Sequence, residues 1–133
     1  FSPETTYKTK YYHYNDVIVY TLNDSLEIQS VNIIKKRQRS EEDFGVYSSF
    51  KLVNQQNMLE VLFLDKISTN SSLKRYTLNK DSELFNDYLL NVEQNNVMPL
   101  VKLALQTAPN EILIPSYLNS NFSLIKIVFE DND

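Results

Sequence analysis

Cysteine and tryptophan are absent from these 133 residues, and glycine and histidine occur once each. Without cysteine the chain has no disulfide, no thiol nucleophile and no Cys-ligated zinc. A Ser-His-acid triad or a histidine zinc site would have to use His13, which stands in the run Tyr11, Tyr12, His13, Tyr14 with no nucleophile motif around any serine. Ser48 and Ser49 follow Gly45 without a nucleophile-elbow pattern and read as small strand residues. No apolar run reaches the roughly 18–20 residues that span a bilayer, and no signal-peptide pattern is present. A start at Phe1 rather than Met leaves room for export, through a removed leader or a fragment boundary. Thirteen Lys and Arg stand against 17 Asp and Glu, giving a net charge of -4 and a pI near 5.0. That balance gives no global reason to approach a polyanion, so nucleic acid is not an expected partner.

What the chain does have is alternation of apolar and polar residues, broken by Asn, Asp and Ser. Residues 16–22 lead to 26–34, residues 46–53 to 58–66, and residues 112–118 to 122–129. Period-two runs between turn formers are the pattern of antiparallel hairpins. The expectation is one all-β domain over residues 1–133, an antiparallel meander of eight or nine strands grouped as two, four and three. Four-stranded groups suit propeller blades, with a small sandwich or barrel as the alternative. With so little glycine, the Asn residues at the turns are expected to take the left-handed conformations.

Several segments carry finer expectations. Residues 1–9 read as an irregular arm, while residues 11–14 and 16–22 are either separate or run on as one bent strand. In 26–34 the apolar phase changes between Ile28 and Val31, which predicts a bulge near Gln29 or Ser30. Residues 35–45 read as a solvated charged connection. Val61, Leu62, Phe63 and Leu64 make both faces of their strand apolar, so a central strand covered on both sides is predicted. Residues 73–78 read as a shorter strand. Residues 82–94 fit a helix and a strand equally, 97–106 read as a strand, and Pro109 marks a turn.

The phrases at 14–20 (YNDVIVY), 33–38 (IIKKRQ), 45–50 (GVYSSF) and 62–65 (LFLD) resemble the C-terminal part of large exported proteins of Bacteroidetes-type bacteria with propeller-like repeats. Residues 113–116 (LIPS) and 125–129 (IKIVF) resemble that family's final strands. The resemblance implies a propeller-like fragment of a longer exported protein, periplasmic, surface-bound or secreted. It supplies no catalytic residue. Relatives place Gly in hairpin turns and an aromatic such as Trp in the second strand, where this chain has Ser25 and no Trp.

Candidate sites are few. Asn79, Asp81 and Glu83 alternate as calcium ligands do, yet a calcium loop's Gly and bidentate Glu are replaced by Leu84 and Leu90, so a polar turn is expected. Asp43, Asp65 and Asp87 are acids whose convergence only a structure can show. The basic loop 35–39 is followed by acids that satisfy it locally. The nine Tyr and seven Phe offer stacking surface, and Tyr11, Tyr12 and Tyr14 are the binding candidates, because successive aromatics on a strand cannot all face one core. No cofactor and no metal is expected. The leading expectation is a non-catalytic binding or scaffolding domain. A carbohydrate-binding module built on exposed tyrosines is the alternative, and a hydrolase with paired carboxylates the third. The last sheet is expected to leave an open edge, which invites self-association or closure by the arm ending at Tyr14.

Overall fold

In the computed structural model, which describes residues 6–130, eleven strands form four antiparallel sheets and no sheet closes on itself. They are β1 (Tyr11–Tyr14), β2 (Val17–Leu22), β3 (Ile28–Ile34), β4 (Gln38–Glu41), β5 (Lys51–Gln55) and β6 (Met58–Leu64). Then follow β7 (Ser72–Asn79), β8 (Leu84–Asn91), β9 (Leu105–Ala108), β10 (Glu111–Leu118) and β11 (Asn121–Val128). The only helical pieces among the described residues are α1 (Val92–Asn95) and a 3-10 turn, Val101–Leu103. The chain is therefore all-β with a short helix, as the alternation predicts. No helix among the described residues is long and apolar enough to cross a membrane.

The sheets stack. In the four-stranded meander β5-β6-β7-β8, strand β6 is central, and Val61 to Leu64 are all at most 1 % exposed. Alternation explains this: Val61 and Phe63 enter a core with Val17 and Ile34 of the β2-β3 hairpin on one side. Leu62 and Leu64 enter a larger core with Ile112 and Ile114 of the sheet β11-β10-β9 on the other. Burying both faces requires apolar residues at both parities. Phe63 also lies parallel to Tyr76, with ring centroids 5.9 Å apart.

Of the two readings of residues 11–22, separate strands hold, because Asp16 breaks the run by accepting from the Lys36 amide at 3.0 Å and from Lys35 Nζ at 2.9 Å. β1 then pairs with β4 and β2 with β3. Structure and expectation part in several other places. The supposed solvated connection 35–45 contains β4, and Lys36 and Gln38 within it are buried. Of residues 46–53 only Lys51 onward is strand, since Phe44, Gly45 and Ser49 all take positive φ. Residues 82–94 are strand first and helix last: the Asn91 side chain accepts from the Gln94 amide at 2.9 Å and caps α1. Residues 97–106 are a bridge at Pro99, the 3-10 turn and the start of β9, because Val101 and Ala104 are buried at a spacing of three, not two. The arm's Tyr12 and Tyr14 pair with Ser40 and Gln38 and not with β11, which stays at a sheet edge. The first five residues of the expected irregular arm lie outside the described residues.

The turns reveal how a chain with one glycine bends. Asn23 and Asn79 do not take positive φ; the residue three later does, Leu26 at 63° and Ser82 at 60°. Each Asn carboxamide instead holds its turn from within. Asn23 Oδ1 accepts from the amides of Ser25 and Glu27, and its Nδ2 donates to Glu27 Oε2 at 3.0 Å. Asn79 does the same with Asp81 and Glu83. Of the other expected Asn positions, Asn119 is left-handed, at φ 50°. The single Gly45 is required at its place: a Cβ there would stand 2.9 Å from Cε2 of Tyr14, at φ +67°.

Those two turns belong to a repeat. Thr-Leu-Asn at 21–23 with Glu27, and Thr-Leu-Asn at 77–79 with Glu83, place the same turn at the end of β2 and of β7. Leu22 pairs with Ile28 just as Leu78 pairs with Leu84. The β2-β3 hairpin is thus the structural counterpart of β7-β8, the outer half of the four-stranded sheet.

Candidate functional site

A cleft of about 380 Å³ opens where connections from three sheets converge: the segment after β4, the β6-β7 loop and the β10-β11 turn. Ile67, Met98, Leu118, Tyr47 and Tyr117 give it apolar lining. The rim carries hydroxyls of Ser40, Ser68 and Thr69 with the carboxylates of Glu41 and Asp43, and no basic side chain lines it. Tyr47 donates its hydroxyl to the Tyr117 carbonyl at 3.1 Å. Burial raises the Tyr47 pKa, with the nearby Tyr117 and Asp43 adding to the effect, so the phenol stays a donor through neutral pH. Asp43 shapes the wall by accepting from Ser40 Oγ at 2.7 Å and from the Gly45 amide at 2.8 Å. An apolar lining beside an acceptor-rich rim suits a ligand with apolar faces and hydroxyl or cationic edges, and disfavours anions.

A second cleft of about 370 Å³ lies over β7 and β8, lined in part by Arg75, Thr77, Phe85 and Asp87. Arg75 grips Asp87 with two hydrogen bonds, Nε to Oδ1 at 2.8 Å and Nη2 to Oδ2 at 2.6 Å, and touches the buried Glu60 at 3.4 Å. Loss of solvent raises the Glu60 pKa, partly offset by the Arg75 charge, while the Arg75 hydrogen bonds lower that of Asp87. Glu60 Oε2 has no hydrogen-bond partner among the described residues. Here are two acids with opposed shifts, the pattern of an acid-base pair. The guanidinium between them, however, occupies the space a substrate would need, so the arrangement acts as an ion cluster.

The tyrosines of β1 do not form one plane. Tyr11 and His13 point one way, Tyr12 and Tyr14 the other, and all four have neighbours. The Arg39 guanidinium covers Tyr11 at 4.4 Å from the ring centroid. Tyr12 tilts on Phe44 at 6.3 Å, and Tyr14 lies between Lys36 and Lys102 at 5.7 and 5.9 Å. His13 is exposed and lies opposite Arg39 in the β1-β4 ladder. Among the described residues no three His, Cys, Asp or Glu side chains are grouped to hold a metal, and the carboxylates of Asp43, Asp65 and Asp87 are engaged separately. The Asn79 turn uses its oxygens internally, as a polar turn does.

Sequence reasoning missed Tyr47 and Tyr117, which lie 70 residues apart and meet only through the stacking of sheets. It also missed the outward face of the β2-β3 hairpin. There Ile18, Tyr20 and Leu22 pair with Ile33, Val31 and Ile28, all between 48 and 61 % exposed. The inward face mixes Val17, Val19 and Ile34 with Thr21, Ser30 and Asn32. The hairpin therefore turns its more apolar face to solvent. The repeated Thr-Leu-Asn was the signal that linked this hairpin to a sheet with two covered faces. No family model, curated protein or solved structure matches the chain.

Proposed function

We propose that this chain is a non-catalytic binding or scaffolding domain of an exported bacterial protein, built as a section of a propeller-like array of stacked sheets. The carrying observation is the reversed polarity of the β2-β3 hairpin, whose outward side is more apolar than its inward side. An antiparallel sheet with one solvated face normally puts its polar side out, and a contiguous apolar patch marks an interaction surface. The matching turns at Asn23 and Asn79 support a repeat, and the resemblance of residues 14–66 supports export. Binding of an apolar fluorescent dye to the dilute native protein tests the reading. Bright binding, lost several-fold in a Tyr20→Ser/Val31→Ser variant of unchanged melting temperature, is the expected result. A native wild-type chain that leaves the dye dark overturns it.

The Tyr47-Tyr117 cleft favours a second reading, a carbohydrate-binding module, since tyrosine faces beside hydroxyl and carboxylate acceptors suit a neutral sugar. A glycan array tests it: binding abolished by Tyr117→Ala and untouched by Tyr11→Ala supports this cleft, and a blank array removes the reading.

A further inference from the structure

The repeat shows what kind of surface covers a face like the outward side of β2-β3. Tyr20, Leu22 and Ile28 correspond to Tyr76, Leu78 and Leu84 in β7-β8. Tyr76 and Leu84 pack against a neighbouring sheet, with Val17, Val19 and Ile34 in the same core, and Leu78 is buried. The same role is unfilled for Tyr20, Leu22 and Ile28. At the opposite end of the stack a second uncovered sheet face stands ready, where Tyr117 pairs with Phe122 and Pro115 with Leu124, flanked by Leu105 and Val128. Among the described residues its charges are the ion pair of Lys126 to Glu111 at 2.8 Å, which docking would bury as a pair.

Resting on the stacked-section reading, we infer that the β2-β3 face docks a second copy of this chain, head to tail, against the outward face of that copy's β9-β11 sheet. From their exposed fractions each face offers on the order of 600 Å², so the pair buries roughly 1,200 Å², the lower bound of a stable interface. Polar groups rim the β2-β3 face, with the Asn23-Glu27 turn at one end and the Lys35-Asp16 ion pair at the other, as protein interfaces arrange them. Because the two faces differ, each dimer keeps one free face of each kind, and assembly continues unless the rotation closes a ring.

Light scattering and sedimentation over a concentration series test this, with Ile33→Glu blocking one face and Leu124→Glu the other. Wild type should rise above its 15.6 kDa monomer mass with concentration. Each single variant should stay monomeric, and an equimolar mixture of the two should form a dimer and nothing larger, since one intact face of each kind remains. Tyr20→Lys and Phe122→Lys form an independent pair should either first variant lose its melting transition. A wild type still monomeric at about 1 mM, a range where even weak association shows, overturns the inference. Loss of association in Ile33→Glu alone, or in neither variant, overturns it as well, by pointing to two-fold pairing of hairpins or to edge pairing of β11. Dye binding by a strictly monomeric wild type would leave the scaffolding reading standing while removing the second copy as occupant.

Discussion

Gln38 donates its side-chain amide to the carbonyl oxygen of Leu64 at 2.8 Å, standing in for strand that β5 does not supply. The β5-β6 ladder begins only at Lys51 and Leu62, so β5 leaves the end of β6, Phe63 and Leu64, unpaired. Gln38 Oε1 meanwhile accepts from the Ser49 amide at 2.8 Å and from Lys36 Nζ at 3.1 Å. One buried carboxamide thus joins β4, β6 and the approach to β5.

Gln38→Ala should therefore destabilise the fold by about 2–4 kcal/mol, because several buried polar groups lose their partner at once. Urea denaturation measures the loss. Amide exchange at Ser49 should speed in the same variant, an effect that a simple cavity elsewhere would not produce.

Phe63→Ala should cost about 3–5 kcal/mol, the usual range for a packed aromatic, since Phe63 is 1 % exposed and stacked on Tyr76. A near-zero shift in melting temperature would contradict the central position of β6.

Burial lowers the Lys36 pKa to about 8 from 10.5, with Asp16 opposing the shift. The unfolded chain then binds more protons than the folded one between those values, so Lys36 makes stability rise with pH across that window. The gain is at most about 3 kcal/mol. Lys36→Met should abolish that part of the rise, read as the difference between the two proteins' denaturation midpoints from pH 7 upward.

Glu60 titrates in the opposite sense. Its folded pKa is raised above 4.5 chiefly by burial, so its contribution to stability is full below that value and is lost as pH climbs through the folded pKa. Glu60→Gln should flatten this decline while leaving the Arg75-Asp87 pair in place, as denaturation midpoints of the two proteins from pH 4.5 upward would show.

Much of this architecture was legible because alternation reports burial directly. The change of phase between Ile28 and Val31 does correspond to a bulge: Thr21 pairs with Ser30 and Leu22 with Ile28, so Gln29 is the extra residue. Val61 to Leu64 declared a strand with two covered faces, and the grouping of two, four and three strands matches three of the four sheets. What stayed hidden depends on contacts that no local period encodes. Lys36 and Gln38 looked solvated because their partners, the Tyr14 carbonyl and the Leu64 carbonyl, are backbone groups remote in sequence. The alternation of 97–106 misled because Val101 and Ala104 reach the core through a 3-10 turn. The candidate clefts were the least legible, each assembled from separate segments. Only the chemistry of the tyrosines was visible beforehand, and their positions were not.

The pairing of β1 with β4 gives the β2-β3 hairpin an unusual mechanical setting. Tyr11 lies opposite Glu41 and Tyr14 opposite Gln38, so this short ladder closes a loop around the hairpin like a clasp. The chain enters β1 and leaves β4 at the same end of that ladder. Tension between the amino-terminal side and the rest of the stack would load its rungs one after another from Tyr11, as a zip opens, and not all together in shear. Once the ladder opens, the load passes to Val17 and Ile34, whose burial against Val61 and Phe63 holds the hairpin to the central sheet, so the clasp yields before the core does.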